Sequence, residues 1–220
     1  TPDLLNGTYT VSNSLGSQTF KPIEPGPGQH VMDFEAIQKD FSYSTLKMLN
    51  NLIANKGTST PALQLRYLSF ADWQVHENNS RRYNYAIIGT PTATNDMPKA
   101  GSGRYTLNVF AQGSVTLLQS LIGTGTLDAY FDTGRIATRL NIYADGGGGI
   151  GKFEGTGTMR SDSSLFQGTL NSYGNSNIAL SGTFDGAFFG PAAAEVGYTF
   201  DIRGTASGRP GTELRYLGVA

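Results

Sequence analysis

Between residues 178 and 202 the chain alternates apolar and polar positions twice, with a Gly190-Pro191 corner between the two runs. Ile178, Leu180, Gly182, Phe184, Gly186 and Phe188 share one face, and Tyr198, Phe200 and Ile202 repeat the same period of two beyond the corner. That pattern predicts two neighbouring antiparallel strands. The period extends over most of the chain after Leu63. Strands are expected over residues 65–75, 81–89, 103–113, 151–159, 165–170, 178–188, 195–205 and 214–219. Leu127, Ala129 and Phe131, and then Ile136, Thr138, Leu140 and Ile142, add a further pair joined by the turn Asp132-Thr133-Gly134. Eight to ten short strands, each with one apolar face, point to a closed antiparallel barrel or a sandwich.

Glycine favours the barrel. Gly155, Gly157, Gly168, Gly182 and Gly186 fall inside strand patterns. Glycine weakens a strand there unless the sheet bends sharply or another group approaches closely. With 29 glycines in 220 residues and charged residues at only 15%, the chain suits many turns and cannot be dominated by long helices.

The first 62 residues have a different texture. Pro22, Pro25, Gly26, Pro27 and Gly28 make residues 20–29 irregular. Val31, Phe34, Ile37 and Phe41 then fall at helical spacing. Leu46, Leu49, Leu52 and Ile53 do so again behind the capping residues Ser44 and Thr45, with Gly57 as a stop. Residues 58–61 read as a linker. The expected organisation is therefore a handle-like region with short helices over 1–62 and a β-barrel over 63–220. The fold class is mainly β with a small α+β N-terminal domain.

Sixteen Lys and Arg against seventeen Asp and Glu give a net charge of −1 with no block of like charge, which argues against a nucleic-acid partner. Cysteine is absent, so there is no disulfide, thiol nucleophile or thiolate metal site. No apolar run approaches the roughly 20 residues of a membrane-spanning helix. The first residues lack the charged and apolar regions of a signal peptide, so the chain reads as mature or trimmed.

Two motifs invite catalytic readings. Residues 146–153, Gly-Gly-Gly-Gly-Ile-Gly-Lys-Phe, nearly spell a phosphate-binding loop, but Phe153 stands where a Mg²⁺-holding Ser or Thr is needed, and strand patterns flank it. A glycine-rich hairpin turn is the simpler reading. Asp132-Thr133-Gly134 matches the aspartic-protease triplet, but it occurs once and is followed by Arg135. No other acid–base constellation is visible, so the chain is expected not to be an enzyme. An Asp132 hydrolase is the remote alternative.

Ligand-binding candidates are few. His30 borders the Gly-Pro loop beside Val31, Met32 and Phe34, and could serve as an axial ligand to haem iron. His76, Met32 and Tyr43 complete the ligand candidates. Neither histidine has a metal-spaced partner, so no metal site is expected. Arg81, Arg82 and Tyr83 are candidate partner-binding residues, because arginines and aromatics anchor protein interfaces.

Three stretches resemble the barrel domain of the transferrin-binding protein B-like, hemophilin-like surface lipoprotein family. The most specific runs from Ser181 to Gly197, on the loose pattern G-x-F-x-G-A-F-F-G-P-x-A-x-E-x-G. The second runs from Tyr85 to Thr92 and on through Asp96, Met97, Pro98, Gly101 and Tyr105, with Gly103 departing from the usual small residue. The third is the Gly-Thr-Gly repeat between Gly151 and Gly168. The resemblance covers about residues 83–205. It implies an N-terminal handle beside an eight-stranded barrel, and a non-enzymatic role. The implied function is capture of haem or of a host iron- or haem-carrying protein, as an outer-membrane-anchored lipoprotein or a secreted protein of a Gram-negative bacterium. An outer-membrane receptor is an implied partner and haem the one implied cofactor. A protein-recognition lipoprotein with no iron or haem role is the alternative.

Overall fold

In the strand 135–144 every second side chain is buried: Ile136, Thr138, Leu140 and Ile142 point inward while Arg135 and Arg139 stay in water. This binary pattern recurs in the later strands of the molecule, here a computed structural model. The structure describes residues 9–13, 16–20, 30–31, 34–41, 44–49, 65–77, 80–114, 118–144, 148–174, 179–205 and 213–220. In chain order the strands are β1 (Tyr9–Asn13), β2 (Gly16–Phe20), β3 (His30–Val31), β4 (Phe34–Phe41), β5 (Ser44–Leu49), β6 (Leu68–Glu77), β7 (Ser80–Gly89) and β8 (Ser102–Ser114). They continue as β9 (Leu118–Tyr130), β10 (Arg135–Ala144), β11 (Gly148–Met159), β12 (Leu165–Tyr173), β13 (Leu180–Phe189), β14 (Glu195–Thr205) and β15 (Glu213–Val219).

The chain forms two units, Thr1–Thr90 and Pro91–Ala220. In the first, β1 and β2 make a two-stranded sheet and β3 to β7 a five-stranded one in sequential order. Residues 63–90, expected to open the barrel, therefore belong to the first unit: Leu46 pairs with Trp73, and β6 joins β5. The helices expected after Val31 are also corrected, because residues 34–41 and 44–49 are strands. Their apolar residues satisfy a helical spacing and a strand spacing at once, for Leu46 and Met48 also alternate with Thr45 and Lys47. Pairing on both sides of β5 decides between them, as sheet context outweighs weak helix propensity. The expected proline-rich loop, apart from Phe20, and the linker at 58–61 lie outside the described residues.

The second unit is a closed barrel of eight antiparallel strands, β8 to β15, with β15 pairing back onto β8. Closure leaves it no sheet edge. Its interior is filled by rings. Phe166 lies 5.2 to 6.2 Å from Phe184, Phe188 and Tyr198, and Phe153 lies 6.3 Å from Tyr216. The strand glycines make this possible. A Cβ on Gly168 would sit 2.3 Å from Phe184 Cζ, and one on Gly157 2.9 Å from the same atom. Facing glycines on β11 and β12 are thus the cavity into which the Phe184 ring fits.

The Gly-Pro corner links β13 to β14 and carries unusual backbone. Ala192 and Ala193 have φ of 52° and 57°, a left-handed conformation that costs an alanine about 1–2 kcal/mol. Neighbours hold it there: Thr92 Oγ1 donates to Gly190 O at 2.7 Å, and Tyr105 OH donates to Ala193 O at 2.7 Å. The methyl of Ala193 is buried. Two of the stretches that carry the family resemblance therefore meet in space, since Tyr105 from one anchors the corner of the other.

Candidate functional site

The residues singled out in the sequence scatter. His30 opens β3 opposite Glu35, while His76 lies near the end of β6 opposite Arg81. Following the register across β4 and β5, the two histidines stand three strand spacings apart and about seven residues out of step, roughly 25 Å in all. Met32 and Tyr43 lie outside the described residues. The structure does bring His76, Arg81, Arg82 and Tyr83 together on the β6–β7 hairpin, where Arg82 opposes Val75 and a half-buried Tyr83 opposes Gln74.

Asp132 sits in the exposed β9–β10 turn, where its Oδ1 accepts the Thr133 N–H at 3.0 Å and Gly134 supplies the positive φ of 66°. The carboxylate is a turn cap in its own hairpin. In the glycine-rich run, Gly148 and Gly149 belong to β11, and Ile150 is an extra residue between the pairs Tyr143–Gly149 and Ile142–Gly151. This bulge packs Ile150 against the core. Phe153 is fully buried and Lys152 points outward. A strand, rather than a phosphate cradle, accounts for the motif. Among the described residues no group of three or more His, Asp or Glu could hold a metal ion.

Within the barrel, the described core side chains fill the interior and most polar side chains face outward. Two charged clusters stand on the outer wall. On β8 and β9, Arg104 forks onto Asp128 at 2.7 and 3.0 Å. On β14 and β15, Arg203 and Arg215 both fork onto Asp201, at 2.7 to 3.2 Å. Partial burial pulls the Asp201 carboxyl upward, but the hydrogen bonds and charges of the two arginines together outweigh it and hold it at about 2. A carboxylate depressed in the folded state stabilises the protein above its unfolded value near 4, and that contribution fades as pH falls toward 2. Because all three side chains are solvent-accessible, the effect at neutral pH is less than about 1 kcal/mol. Asp201→Asn is thus expected to flatten the acid limb of a urea-stability profile between pH 4 and 2 and to change little at pH 7. An unchanged acid limb would show that the cluster contributes nothing.

Sequence reading missed three features. Spacing alone could not reveal the Tyr105 and Thr92 anchors, the Asp201 cluster, or the polar pair Thr138–Tyr198 inside the barrel. The anchors join residues 98 and 88 positions apart, and the Asp201 cluster depends on the register that sets Arg215 beside β14. Thr138 carried a legible signal, a lone hydroxyl on an otherwise aliphatic inward face.

Comparison with solved structures follows this architecture closely. The chain superposes on isotype 1 transferrin-binding protein B of Neisseria meningitidis serogroup B with a TM-score of 0.61 and 16% identity, covering 99% of this chain and 39% of that one. It superposes on transferrin-binding protein B of Haemophilus parasuis Hp5, the Tyr-167-Ala and Trp-176-Ala double mutant, with a TM-score of 0.59 and 18% identity, covering 92% and 38%. The intact two-lobed Ap-TbpB gives 0.57 and 16%, covering 92% and 39%. The chain spans about two-fifths of the length of these proteins and shares their fold. No family model matches the sequence, and no curated protein matches it.

Proposed function

We propose that this chain is a non-enzymatic recognition protein of the bacterial surface that captures a host iron-carrying protein. The observation that carries the reading is the fold likeness to transferrin-binding proteins over nearly the whole chain. A second consideration supports a macromolecular partner over a small one. A drug-sized ligand or haem is normally gripped in a concave, mostly apolar pocket. Here the barrel lumen is filled by Phe153, Phe166, Phe184, Phe188, Tyr198 and Tyr216. Haem, in this reading, arrives as cargo of the partner and not as a guest of the barrel. The handle-side hairpin with Arg81, Arg82 and Tyr83 is the candidate contact of the first unit, and the lipoprotein anchor implied by the sequence resemblance would place it at the outer-membrane surface.

The test is direct. Immobilised chain is exposed to iron-loaded and iron-free transferrin in a biosensor, and in parallel the chain is titrated with haemin while the Soret band is followed. Saturable binding of transferrin at or below about 1 µM is expected, weakened in Arg81→Ala/Arg82→Ala, with no Soret shift. No binding of either transferrin form, together with a Soret shift lost in His30→Ala, would replace the protein-capture reading with a haem-binding one.

A further inference from the structure

We propose that the outer wall formed by β9 to β12 is a docking surface for the acidic face of a partner protein. The proposal rests on the recognition reading only in assuming that the chain works by binding; it does not require the partner to carry iron. Two independent features coincide on this wall. The first is exposed tyrosine. Among the described residues only four large apolar or aromatic side chains are strongly exposed, and three are Tyr130, Tyr143 and Tyr173, on β9, β10 and β12, at 36 to 38%. The second is cationic charge held in no ion pair, although Arg139 stands opposite Glu154. Arg135, Arg139 and Lys152 point outward from β10 and β11 and have no carboxylate within ion-pair distance among the described residues.

The register places the two sets side by side. Arg135 opposes Tyr130 and lies over its ring at 5.7 Å from the centroid. Lys152 is flanked by Asn141 on one side and Tyr173 on the other. Asn141 in turn hydrogen-bonds the Tyr143 hydroxyl. Among the described residues of the wall and its β9–β10 turn, Asp128 is engaged by Arg104, and Glu154, opposite Arg139, and the exposed Asp132 are the two remaining anions against three cations. The described wall therefore carries an excess of about one positive charge on a chain whose net charge is −1. From Arg135 to Tyr143 it runs roughly 26 Å along the strands, and from β9 to β12 roughly 14 Å across them. Patches of that extent form the centre of a standard interface of about 800 Å² per partner.

Tyrosine and arginine are the residue types that dominate interface energetics, because they bring large contact area with a polar handle. A wall braced by continuous strand pairing on both sides presents them with little ordering cost. Charge complementarity names the occupant: carboxylates can take the open donors of Arg135, Arg139 and Lys152, while the tyrosine rings cover apolar surface between them. Thr124, Thr156, Thr158 and Thr169 add small neutral polar groups to the outward face, and Leu165 adds an exposed apolar one.

Fluorescently labelled poly-L-glutamate serves as the probe, read by anisotropy over a range of salt. Wild type is expected to bind it, with affinity falling as salt rises. Arg135→Glu/Arg139→Glu/Lys152→Glu should weaken binding at least tenfold, and the milder glutamine triple at least threefold. Tyr130→Ser/Tyr143→Ser/Tyr173→Ser should also cost at least threefold, a loss that diffuse charge attraction would not produce. The control Arg203→Gln/Arg215→Gln, on another face, should stay within twofold, and unfolding curves confirm that each variant keeps its barrel. Absence of binding by wild type, triple variants within twofold of it, or an equal loss in the control overturns the proposal. Binding of poly-L-glutamate at this wall with no binding of transferrin would sink the functional reading and leave the docking surface standing.

Discussion

Gly168→Val is expected to abolish the folded barrel, and Gly168→Ala to destabilise it by about 3 kcal/mol. The reason lies in two atoms. A Cβ at position 168 would lie 2.3 Å from Phe184 Cζ and 2.4 Å from the carbonyl oxygen of Thr156. The ring could yield, since it is the far end of a side chain, but the carbonyl belongs to the strand paired with β12 and cannot move without breaking the ladder. Total stability of a domain this size is on the order of 5–15 kcal/mol, so the valine variant has too little left to fold. Removing the ring instead, in Phe184→Ala, is expected to cost about 3–5 kcal/mol through lost burial and a cavity. The double variant Gly168→Ala/Phe184→Leu should recover only part of the alanine loss, because the Thr156 clash persists. Urea unfolding followed by circular dichroism decides it. A Gly168→Ala protein within 0.5 kcal/mol of wild type, a threshold near the ordinary spread of harmless surface changes, would show that glycine there is not needed for packing.

That pairing of glycine with ring explains why the barrel was readable from residues alone and the first unit was not. Inward alternation from β8 to β15 is written in large side chains with small ones between, so period, face and the need for glycine all agree. The strands of 195–205 and 214–219 were legible to within a residue. In the first unit the period is ambiguous. Val31, Phe34, Ile37 and Phe41 fit a helix, yet strand pairing claims residues 34–41, because what stabilises β4 and β5 is β6, contributed from beyond residue 62. A boundary drawn where the texture changes therefore fell inside a sheet, whereas the units part at Thr90. Of the candidate site, the hairpin bearing Arg81 and Arg82 was legible as two strands. The wall of β9 to β12 was not, because it joins residues up to 43 positions apart, from Tyr130 to Tyr173, and only the register sets them beside one another. Lys152 illustrates the point. In sequence it looks like the lysine of a phosphate loop, and in the sheet it is a cation standing between Asn141 and Tyr173.

The second large effect is expected from the buried polar pair. Thr138 and Tyr198 meet at 2.8 Å inside the barrel, where both are essentially inaccessible to water. Thr138 has one hydroxyl hydrogen and gives it to Thr126 O at 3.0 Å, so the Tyr198 hydroxyl must be the donor to Thr138 Oγ1. The two ends of this chain are therefore unequal. Thr138→Val leaves the Tyr198 O–H dry and without an acceptor, at a cost of about 2–3 kcal/mol. Tyr198→Phe only removes one accepted bond from a threonine that keeps its own donation, at about 1 kcal/mol. With both changes made, no orphaned donor remains, and Thr138→Val/Tyr198→Phe should be more stable than Thr138→Val alone by about 1 kcal/mol or more. Alkali gives a second readout with a definite sign. Burial pushes the Tyr198 phenol well above its ordinary value, and burial pushes Tyr105 up to about 12. Groups raised in the folded state contribute stability that is fully present below the unfolded value near 10 and is lost as pH climbs through the folded one. Stability should therefore decline above pH 10, less steeply in Tyr198→Phe than in wild type. Additive single and double variants, or identical alkaline limbs, would mean that the hydroxyl chain does not couple the two strands.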